Sequence, residues 1–155
     1  MRRKDREIAD RSEQLDVLRR CETIRVAMVS DGEPYVVPLS FGMEEKDGQV
    51  ILYFHSAQAG RKVAALEQNA RVCIEADIFY KTDPTPHGIT TRYESIIGFG
   101  TAERIEGEEM LHGLRCLLKH YGYTAYTPES CKHLPITAVY KITLASLSGK
   151  RNLPQ

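Results

Sequence analysis

The arrangement of hydrophobic and polar residues predicts a strand-rich first half of the chain. Three segments predict strands: Arg25–Val29, Tyr35–Phe41 and Gln49–His55, the last of them buried on both faces. Asp31-Gly32 and Asp47-Gly48 separate them and favour tight turns. The pattern predicts an antiparallel meander, in which Pro38 cannot donate to a strand ladder and indicates a bulge or a sheet edge.

Helical spacing of apolar residues is found in three other segments: about 10–21, Gly60–Gln68 and about Glu108–Tyr121. Asp10 and Glu13 have the spacing of a capping box, which predicts the start of the first helix. Gly122 follows the third helix at the position where glycine commonly ends a helix. We therefore expect short helices at the periphery of a strand-rich core.

The remaining strand segments are Val72–Ala76, Glu94–Ile105 and Val139–Leu147. Gly98 and Gly100 in the second of these indicate close backbone approach or strong coiling. Lys81–Thr91 holds two prolines, a glycine and four threonines, so we expect a long loop there, and long loops are often functional. Six antiparallel strands must hide their edges, which predicts a mainly β fold: a closed or half-closed β-barrel with peripheral helices.

Length and composition indicate a single globular domain over 1–155, ending in a C-terminal strand and tail at about 138–155. The chain has 155 residues, of which 42% are hydrophobic and 27% charged, close to the globular average. Its 21 basic and 21 acidic residues cancel, which gives no electrostatic reason to expect nucleic acid or anionic lipid as a partner. The longest apolar run, Val50–Phe54, is far shorter than a membrane helix needs.

Localisation is predicted from the start of the chain and from its cysteines. The basic N-terminus is followed by Ile8-Ala9-Asp10-Arg11 rather than by an apolar stretch, so we expect no targeting signal. Four widely spaced cysteines without a Cys-x-x-Cys pair are typical of reduced thiols. We therefore predict a cytoplasmic protein without a disulfide scaffold.

The segment from His55-Ser56 to Gly60-Arg61-Lys62 is the strongest candidate for a binding site. A predicted strand ends there, and a predicted helix opens with two adjacent cations. Free helix amides, a serine hydroxyl and two cations together can hold a phosphate group. Cations in a first turn also oppose the helix dipole, so an anion nearby would explain them. The alternative is an ordinary turn beside a solvated basic pair, and the spacing alone does not decide between the two.

Five segments, in one order along nearly the whole chain, resemble the pyridoxamine 5′-phosphate oxidase-related flavoproteins, and specifically their 5-nitroimidazole resistance (Nim-like) branch: Met1–Ile8, Val37–Gly42, Leu52–Ala57, Tyr93–Ala102 and Ser148–Arg151. The resemblance implies a six-stranded antiparallel split β-barrel that binds FMN, in preference to FAD or haem. It also implies a homodimer with flavin sites at the subunit interface. The implied activity is an oxidoreductase that reduces a small aromatic substrate such as a 5-nitroimidazole. The alternative is a non-enzymatic flavin or haem binding or sensing protein on the same fold.

The resemblance also implies site residues. Beside the flavin phosphate or the ribityl chain it places His55, Ser56, Arg61 and Lys62, with the two cations on the phosphate. Along the isoalloxazine edge it places Val37, Pro38, Leu39, Ser40 and Phe41. The resemblance adds four residues from neighbouring strands, some of which would belong to the partner subunit: Glu94, Ser95, Lys150 and Arg151. His55 has a second candidate role as a catalytic residue, because the matching histidine of the Nim-like branch is implicated in the redox step.

The sequence differs from true pyridoxamine phosphate oxidases in ways that restrict which reaction we expect. The chain has no tryptophan, and its end at Arg151-Asn-Leu-Pro-Gln155 only faintly resembles the substrate-binding region of true pyridoxamine phosphate oxidases. We therefore do not expect vitamin B6 oxidation. No Gly-x-Gly-x-x-Gly fingerprint is present, so NAD(P)H as electron donor would bind transiently over the flavin. Because the flavin carries the redox chemistry, no side-chain nucleophile is required.

No metal site is predicted. Cys131-Lys132-His133, with His120 upstream, lacks the paired spacing of zinc ligands, and a polar loop is the simpler interpretation. Cys73 and Cys116 lie on apolar faces of predicted elements, where a free cysteine behaves as a small hydrophobe. We expect His112 to be a surface residue of its helix.

Overall fold

The computed structural model describes residues 2–154, so Met1 and Gln155, which belong to the predicted domain, lie outside the described residues. The strands of the described chain are β1 (Glu7–Ile8), β2 (Ile24–Ser30), β3 (Glu33–Leu39), β4 (Gly42–Lys46), β5 (Gln49–Ala57), β6 (Arg71–Thr85), β7 (Gly88–Ile105) and β8 (Thr137–Asn152). The helices are α1 (Arg11–Arg20), α2 (Arg61–Gln68) and α3 (Gly107–His120), with 3-10 turns at Lys4–Arg6, Pro128–Ser130 and Leu134–Ile136.

All the strands belong to one antiparallel sheet. Its order is β3-β2-β6-β7-β8-β5-β4, and β1 pairs with the end of β8. The two terminal strands of the sheet contribute side chains to the same buried cluster, Val37 and Leu39 from β3 and Met43 from β4. The sheet therefore coils around its main core, a second and smaller cluster packs between the sheet and α3, and the predicted mainly β split-barrel fold is confirmed.

The core is formed by the inward side chains of alternating strand positions together with one face each of α1 and α2. Phe54, Ile74 and Ile142 are completely buried inside the barrel, and Leu15 and Leu18 of α1 are buried against them. Burying an apolar side chain of this size contributes about 1.5–3 kcal/mol. This cluster fixes the strands whose ends carry the candidate site.

The predicted helices are confirmed to within one or two residues. Asp10 caps α1, because its carboxylate accepts a 3.0 Å hydrogen bond from the backbone N–H of Glu13. The tight turn predicted at Asp31-Gly32 joins β2 to β3, and both residues have positive φ, as a type I′ hairpin turn requires. Pro38 lies on β3, which is an edge strand of the sheet, as predicted.

The predicted meander is wrong beyond this first hairpin. β5 pairs with β4 and β8 and does not pair with β3. The described sheet also has eight strands rather than six. β1 has only two residues, and β4 reads Gly-Met-Glu-Glu-Lys without apolar alternation, so neither gives a period-two signal. Charged residues such as those of β4 are typical of strands at a sheet edge.

The long loop predicted at 81–91 is also wrong. β6 continues to Thr85 and β7 begins at Gly88, so the segment is a two-stranded arm with a short turn. Pro84 is tolerated there because β2 pairs with β6 only as far as Glu75, and the outer edge of the arm has no ladder for proline to interrupt. Among the helices of residues 2–154, none has the length and apolarity to cross a membrane.

Candidate functional site

The N-terminus of α2 is uncapped. Gly60 precedes the helix with a φ of 137°, a conformation that favours glycine, and it has no side chain with which to cap the amides. The first helical hydrogen bond runs from the N–H of Ala64 to the carbonyl of Gly60. The backbone N–H groups of 61–63 therefore have no acceptor in residues 2–154. Free amides at a helix N-terminus, where the helix dipole is positive, favour an anion.

Arg61 and Lys62 lie beside these amides, and neither has a carboxylate partner in the described part of the chain. Arg61 Nε donates a 3.0 Å hydrogen bond to the hydroxyl of Ser30, and the guanidinium lies 4.4 Å from the ring centre of Tyr35. Lys62 Nζ lies 5.6 Å from the ring centre of Phe54. Burial lowers the pKa of Lys62, and a bound anion would offset the unfavourable burial of its charge.

His55 and Ser56 are neighbours on β5 but face opposite sides of the sheet, because strand side chains alternate. Ser56 shares the face of Phe54, which Lys62 covers. His55 shares the face of Tyr53, which packs against α3. Desolvation lowers the pKa of His55, and the positive charge of Lys62 lowers it further. The imidazole is therefore neutral over a wider pH range than that of a free histidine.

A cavity of about 380 Å³ lies between the end of β5, α3 and the segment 126–137. His55 and His133 line it, and the rest of the wall is largely apolar: Leu114, Leu117, Leu118, Tyr126, Pro128 and Leu134. Small-molecule sites are typically apolar cavities with a few polar groups. The wall therefore suits a small aromatic molecule, with imidazole nitrogens as the polar contacts.

The structure separates His120 from Cys131 and His133, the other residues of the metal site that the sequence analysis did not favour. Cys131 and His133 line the cavity beside His55. The Nε2 of His120 instead lies 2.8 Å from the backbone carbonyl oxygen of Cys21, within hydrogen-bonding distance. These side chains therefore do not form one cluster.

β3 carries the predicted isoalloxazine segment on an edge of the sheet. Val37 and Leu39 are half-buried, whereas Pro38 and Ser40 are exposed. Phe41 follows the strand, is completely buried, and donates its backbone N–H to the hydroxyl of Tyr121 at 3.2 Å. Because β3 pairs only with β2 in the described chain, its outward backbone groups are free. The β3 backbone is thus accessible to a ligand, but the Phe41 side chain is not.

Glu94 forms its contacts within the chain. It is 4% exposed, and its Oε2 accepts hydrogen bonds from Arg20 and from the hydroxyl of Tyr80, each at 2.7 Å. The hydrogen bond to Glu94 raises the pKa of Arg20. Ser95, the next residue, is half-buried. A flavin contact from Glu94 stays a prediction, and any such contact would compete with this internal network.

Lys150 and Arg151 lie at the end of β8, opposite Ser95 and Glu94 in the register with β7. Arg151 Nη2 donates a 2.7 Å hydrogen bond to Glu13 of α1. Arg151 also lines a groove of about 560 Å³ that has three further arginines: Arg3, Arg6 and Arg92. Asp5 also lines this groove, and Arg3, Arg92 and Arg151 each pair with a carboxylate, so Arg6 and Lys150 are the cations there without a carboxylate partner in the described chain.

Within one chain the predicted site residues form two separate groups. His55 pairs with Val139 near the start of β8, whereas Lys150 lies eleven residues later on the same strand. At about 3.3 Å per residue, that is roughly 35 Å along the strand. The structure places His55, Ser56, Arg61 and Lys62 together at the junction of β5 and α2, whereas Lys150 and Arg151 lie far from this junction along β8.

Ser30 and Tyr35 are residues of the site that the sequence analysis missed. They orient the guanidinium of Arg61 although they precede it by 31 and 26 positions. Ser30 is 3% exposed, so a hydroxyl is buried at the end of β2, where it accepts this hydrogen bond. No spacing signal connects these residues, because only the packing of the β2–β3 hairpin against α2 brings them together.

Comparison with known proteins shows the family of the chain and structures of similar fold. Residues 10–151 match the family model described as pyridoxamine 5′-phosphate oxidase. No curated protein matches the chain. A solved structure of a protein described as a 5-nitroimidazole antibiotic resistance protein, from Bacteroides thetaiotaomicron, is similar with a TM-score of 0.81. It is 29% identical, and the match covers 93% of this chain and 85% of that one.

Two further solved structures are similar at lower identity. The flavocytochrome Anf3 from Azotobacter vinelandii has a TM-score of 0.79 and 22% identity, covering 99% of this chain and 72% of that one. The FAD and heme binding protein from Mycobacterium smegmatis has a TM-score of 0.81 and 23% identity, covering 96% and 74%. At these identities the similarity concerns the fold.

Proposed function

The chain belongs to the pyridoxamine 5′-phosphate oxidase family, and we propose that it is an FMN-binding oxidoreductase that reduces a small aromatic substrate such as a 5-nitroimidazole. The observation that carries this proposal is the uncapped N-terminus of α2, where two cations without a carboxylate partner in the described chain lie beside free amides. The similarity to the Bacteroides thetaiotaomicron protein supports the substrate class.

The residues at α2 fit a flavin phosphate. Arg61 uses Nε to contact Ser30, and its two Nη atoms have no hydrogen-bond acceptor in residues 2–154, so they remain available for a bidentate contact. Lys62 lies on the same side of β5 as Ser56, so its ammonium group and the Ser56 hydroxyl can reach one anion. The amides of 61–63 complete the phosphate site.

The chain contributes proton transfer and exclusion of water. A bound flavin supplies the electron transfer. His55 lies on the wall of the apolar cavity, and its imidazole donates a proton to a substrate held there. Because the pKa of His55 is lowered, the protonated ring that donates the proton is present only at a lower pH than in a free histidine, so turnover should rise as the pH falls. Leu114, Leu117 and Tyr126 cover the substrate and keep bulk water away from the reacting group.

The proposal includes a homodimer. Val36, Ala27, Cys73 and Phe99 form a cross-strand row over four strands on the outer face of the sheet. Val36 and Phe99, at 58% and 55% exposure, are large apolar side chains open to solvent, and a row of this kind is typical of an interface. A second copy would bring Lys150 and Arg151 of its own β8 to a shared site, which would account for their separation from α2 in one chain.

A non-enzymatic flavin or haem binding protein is the second candidate. His55 and His133 both face the apolar cavity, and histidine is a common axial ligand of haem iron. A flavocytochrome and an FAD and heme binding protein share this fold. The absorption spectrum of the purified protein, reconstituted with FMN, FAD or haem, separates flavin from haem. Bleaching of the flavin bands by NAD(P)H, followed by recovery on adding a 5-nitroimidazole, separates an enzyme from a binding protein.

Replacing both cations of α2 tests the phosphate site. Arg61→Ala/Lys62→Ala removes two charge-assisted contacts of roughly 1.5–3 kcal/mol each, so we expect FMN affinity to fall by about two to four orders of magnitude. Affinity is measured from the quenching of flavin fluorescence. The matched control is Arg19→Ala/Lys119→Ala, which removes two exposed cations outside α2 and leaves affinity unchanged. Near wild-type affinity in the first variant would contradict the assignment.

A further inference from the structure

α3 lies close to β4 and β5 because glycines form the contact. A Cβ added at Gly42 of β4 would lie 2.2 Å from the backbone of α3, and one at Gly113 of α3 would lie 2.6 Å from the ring of Tyr53. At this separation, short side chains can reach across from one element to the other. His112 and Cys116 are four residues apart on α3 and therefore share one face of the helix.

Glu44 of β4 meets both of these side chains. Its Oε2 lies 2.9 Å from Nε2 of His112, and the same nitrogen lies 3.5 Å from Sγ of Cys116. The three atoms all lie within 4.8 Å of one another. A tetrahedral zinc ion with bonds of about 2.0–2.3 Å has ligand atoms roughly 3.3–3.8 Å apart. Small side-chain adjustments would therefore bring all three atoms onto one ion.

Tyr53 contacts both Glu44 and His112 and fixes their orientation. Its hydroxyl donates a 2.6 Å hydrogen bond to Oε1 of Glu44, which leaves Oε2 directed at His112. Its ring packs edge-on against the imidazole, with 5.8 Å between ring centres. Tyr53 is only 2% exposed, so its position is fixed by the core. Metal-binding carboxylates and imidazoles in proteins are usually supported by outer contacts of this kind.

From this geometry we propose that Glu44, His112 and Cys116 form a binding site for one Zn²⁺ per chain. A carboxylate, an imidazole and a thiolate are all ligands that zinc accepts. The carboxylate and the thiolate together carry two negative charges, which neutralise the ion. Binding releases the thiol proton of Cys116 to solvent, as coordination by cysteine requires.

The fourth ligand comes from solvent. The side chains of His112 and Glu44 are 48% and 22% exposed, so the site opens to water on one side. Three protein ligands with an open position are typical of zinc sites that bind a further small ligand rather than of purely structural sites. The cluster lies on the α3 side of β5, on the opposite face from Lys62 and Phe54, so zinc binding does not depend on the proposed phosphate site at α2.

Titration of the chelator-treated, full-length protein with Co²⁺ tests the site directly. We expect saturation at one equivalent, with a thiolate-to-cobalt charge-transfer band and the intense visible bands of a tetrahedral ion, and displacement of both by Zn²⁺. In the same wild-type protein, Zn²⁺ should suppress alkylation of Cys116 while half-buried Cys131 reacts as before, as mapped by mass spectrometry. Absence of a thiolate band in the folded protein, or protection of Cys131 instead, would overturn the proposal.

Variants assign the ligands. Cys116→Ser should abolish the charge-transfer band and weaken Zn²⁺ binding by about 100-fold or more, whereas Tyr53→Phe should keep the band and weaken binding by about 10–100-fold. Cys131→Ser is the matched control and should bind Zn²⁺ like the wild type. Circular dichroism checks that each variant is folded. Unchanged Zn²⁺ affinity in Cys116→Ser would mean that zinc binds elsewhere and that the cluster is only a hydrogen-bond network.

Discussion

Arg20 and Arg61 differ in whether their charge is paired with a carboxylate of the same chain. Arg20 donates hydrogen bonds to Asp16 and Glu94, so its charge is compensated within the chain. Arg61 contacts the neutral hydroxyl of Ser30 and the ring of Tyr35, and it has no carboxylate partner in the described chain. The side chain of Arg61 is exposed and its two Nη atoms have no acceptor in residues 2–154, so it is available to bind an external anion. This contrast supports the proposal that Arg61, rather than Arg20, is a phosphate ligand.

His55 should titrate below the usual pKa of histidine. Desolvation disfavours its cationic form, and Lys62 adds a like charge. We expect Lys62→Met to raise the pKa of His55 towards its ordinary value, because that variant removes the like charge. An NMR titration of the imidazole C–H signal measures this, with Lys119→Met as the control that removes an exposed cation. An identical His55 pKa in the two variants would show that Lys62 exerts no effect.

The lowered pKa of His55 also makes the stability of the folded protein depend on pH. Because the folded-state pKa of His55 is lowered, the unfolded chain binds the proton first as the pH falls below about 6.5. The stability contributed by neutral His55 is therefore present above that pH and lost as the pH falls through the folded-state pKa. His55→Gln cannot titrate, so its urea midpoint should fall less than that of the wild type between about pH 7 and pH 5. Parallel falls would contradict the lowered pKa.

At the scale of elements, the contact between β4 and α3 depends on the absence of a side chain at Gly42. We expect Gly42→Ala to destabilise the protein by about 1–3 kcal/mol or more, because the added methyl overlaps the α3 backbone. Hydrogen exchange should show faster opening of α3 amides in this variant. Gly48→Ala is the control: its φ of 76° makes alanine unfavourable, but no atom lies within 4 Å of the added group. It should therefore lower stability without loosening α3.

At the scale of the whole molecule, the exposed apolar row on the sheet predicts assembly. We expect a two-fold homodimer that buries about 2,000 Å² or more, with a mass in solution of twice 17.5 kDa. Phe99→Glu places a charge in the row and should give monomers in analytical ultracentrifugation, together with weaker flavin binding. Ile136→Glu changes a similarly exposed apolar residue outside the sheet and should remain dimeric. A monomeric, flavin-loaded wild type would contradict the shared site.

Local sequence determined much of the fold. The helices, the cap at Asp10, the Asp31-Gly32 turn and the edge position of Pro38 all follow from residues within a few positions of one another. The basic start of α2 was likewise visible, because strand, turn and helix signals meet there in one short segment. Periodicity and turn chemistry report local burial and backbone preference, so they are sufficient for features of this range.

Tertiary structure alone decided the rest. The pairing of β5 with β8, the anchoring of Arg61 by Ser30, and the meeting of Glu44 with His112 each join segments that are far apart in the sequence. Periodicity shows which side of an element is buried but not which element covers it, so the sequence did not connect these residues. Such contacts depend on strand order, on register and on the close approach that Gly42 permits, all of which exist only once the sheet has closed around its core.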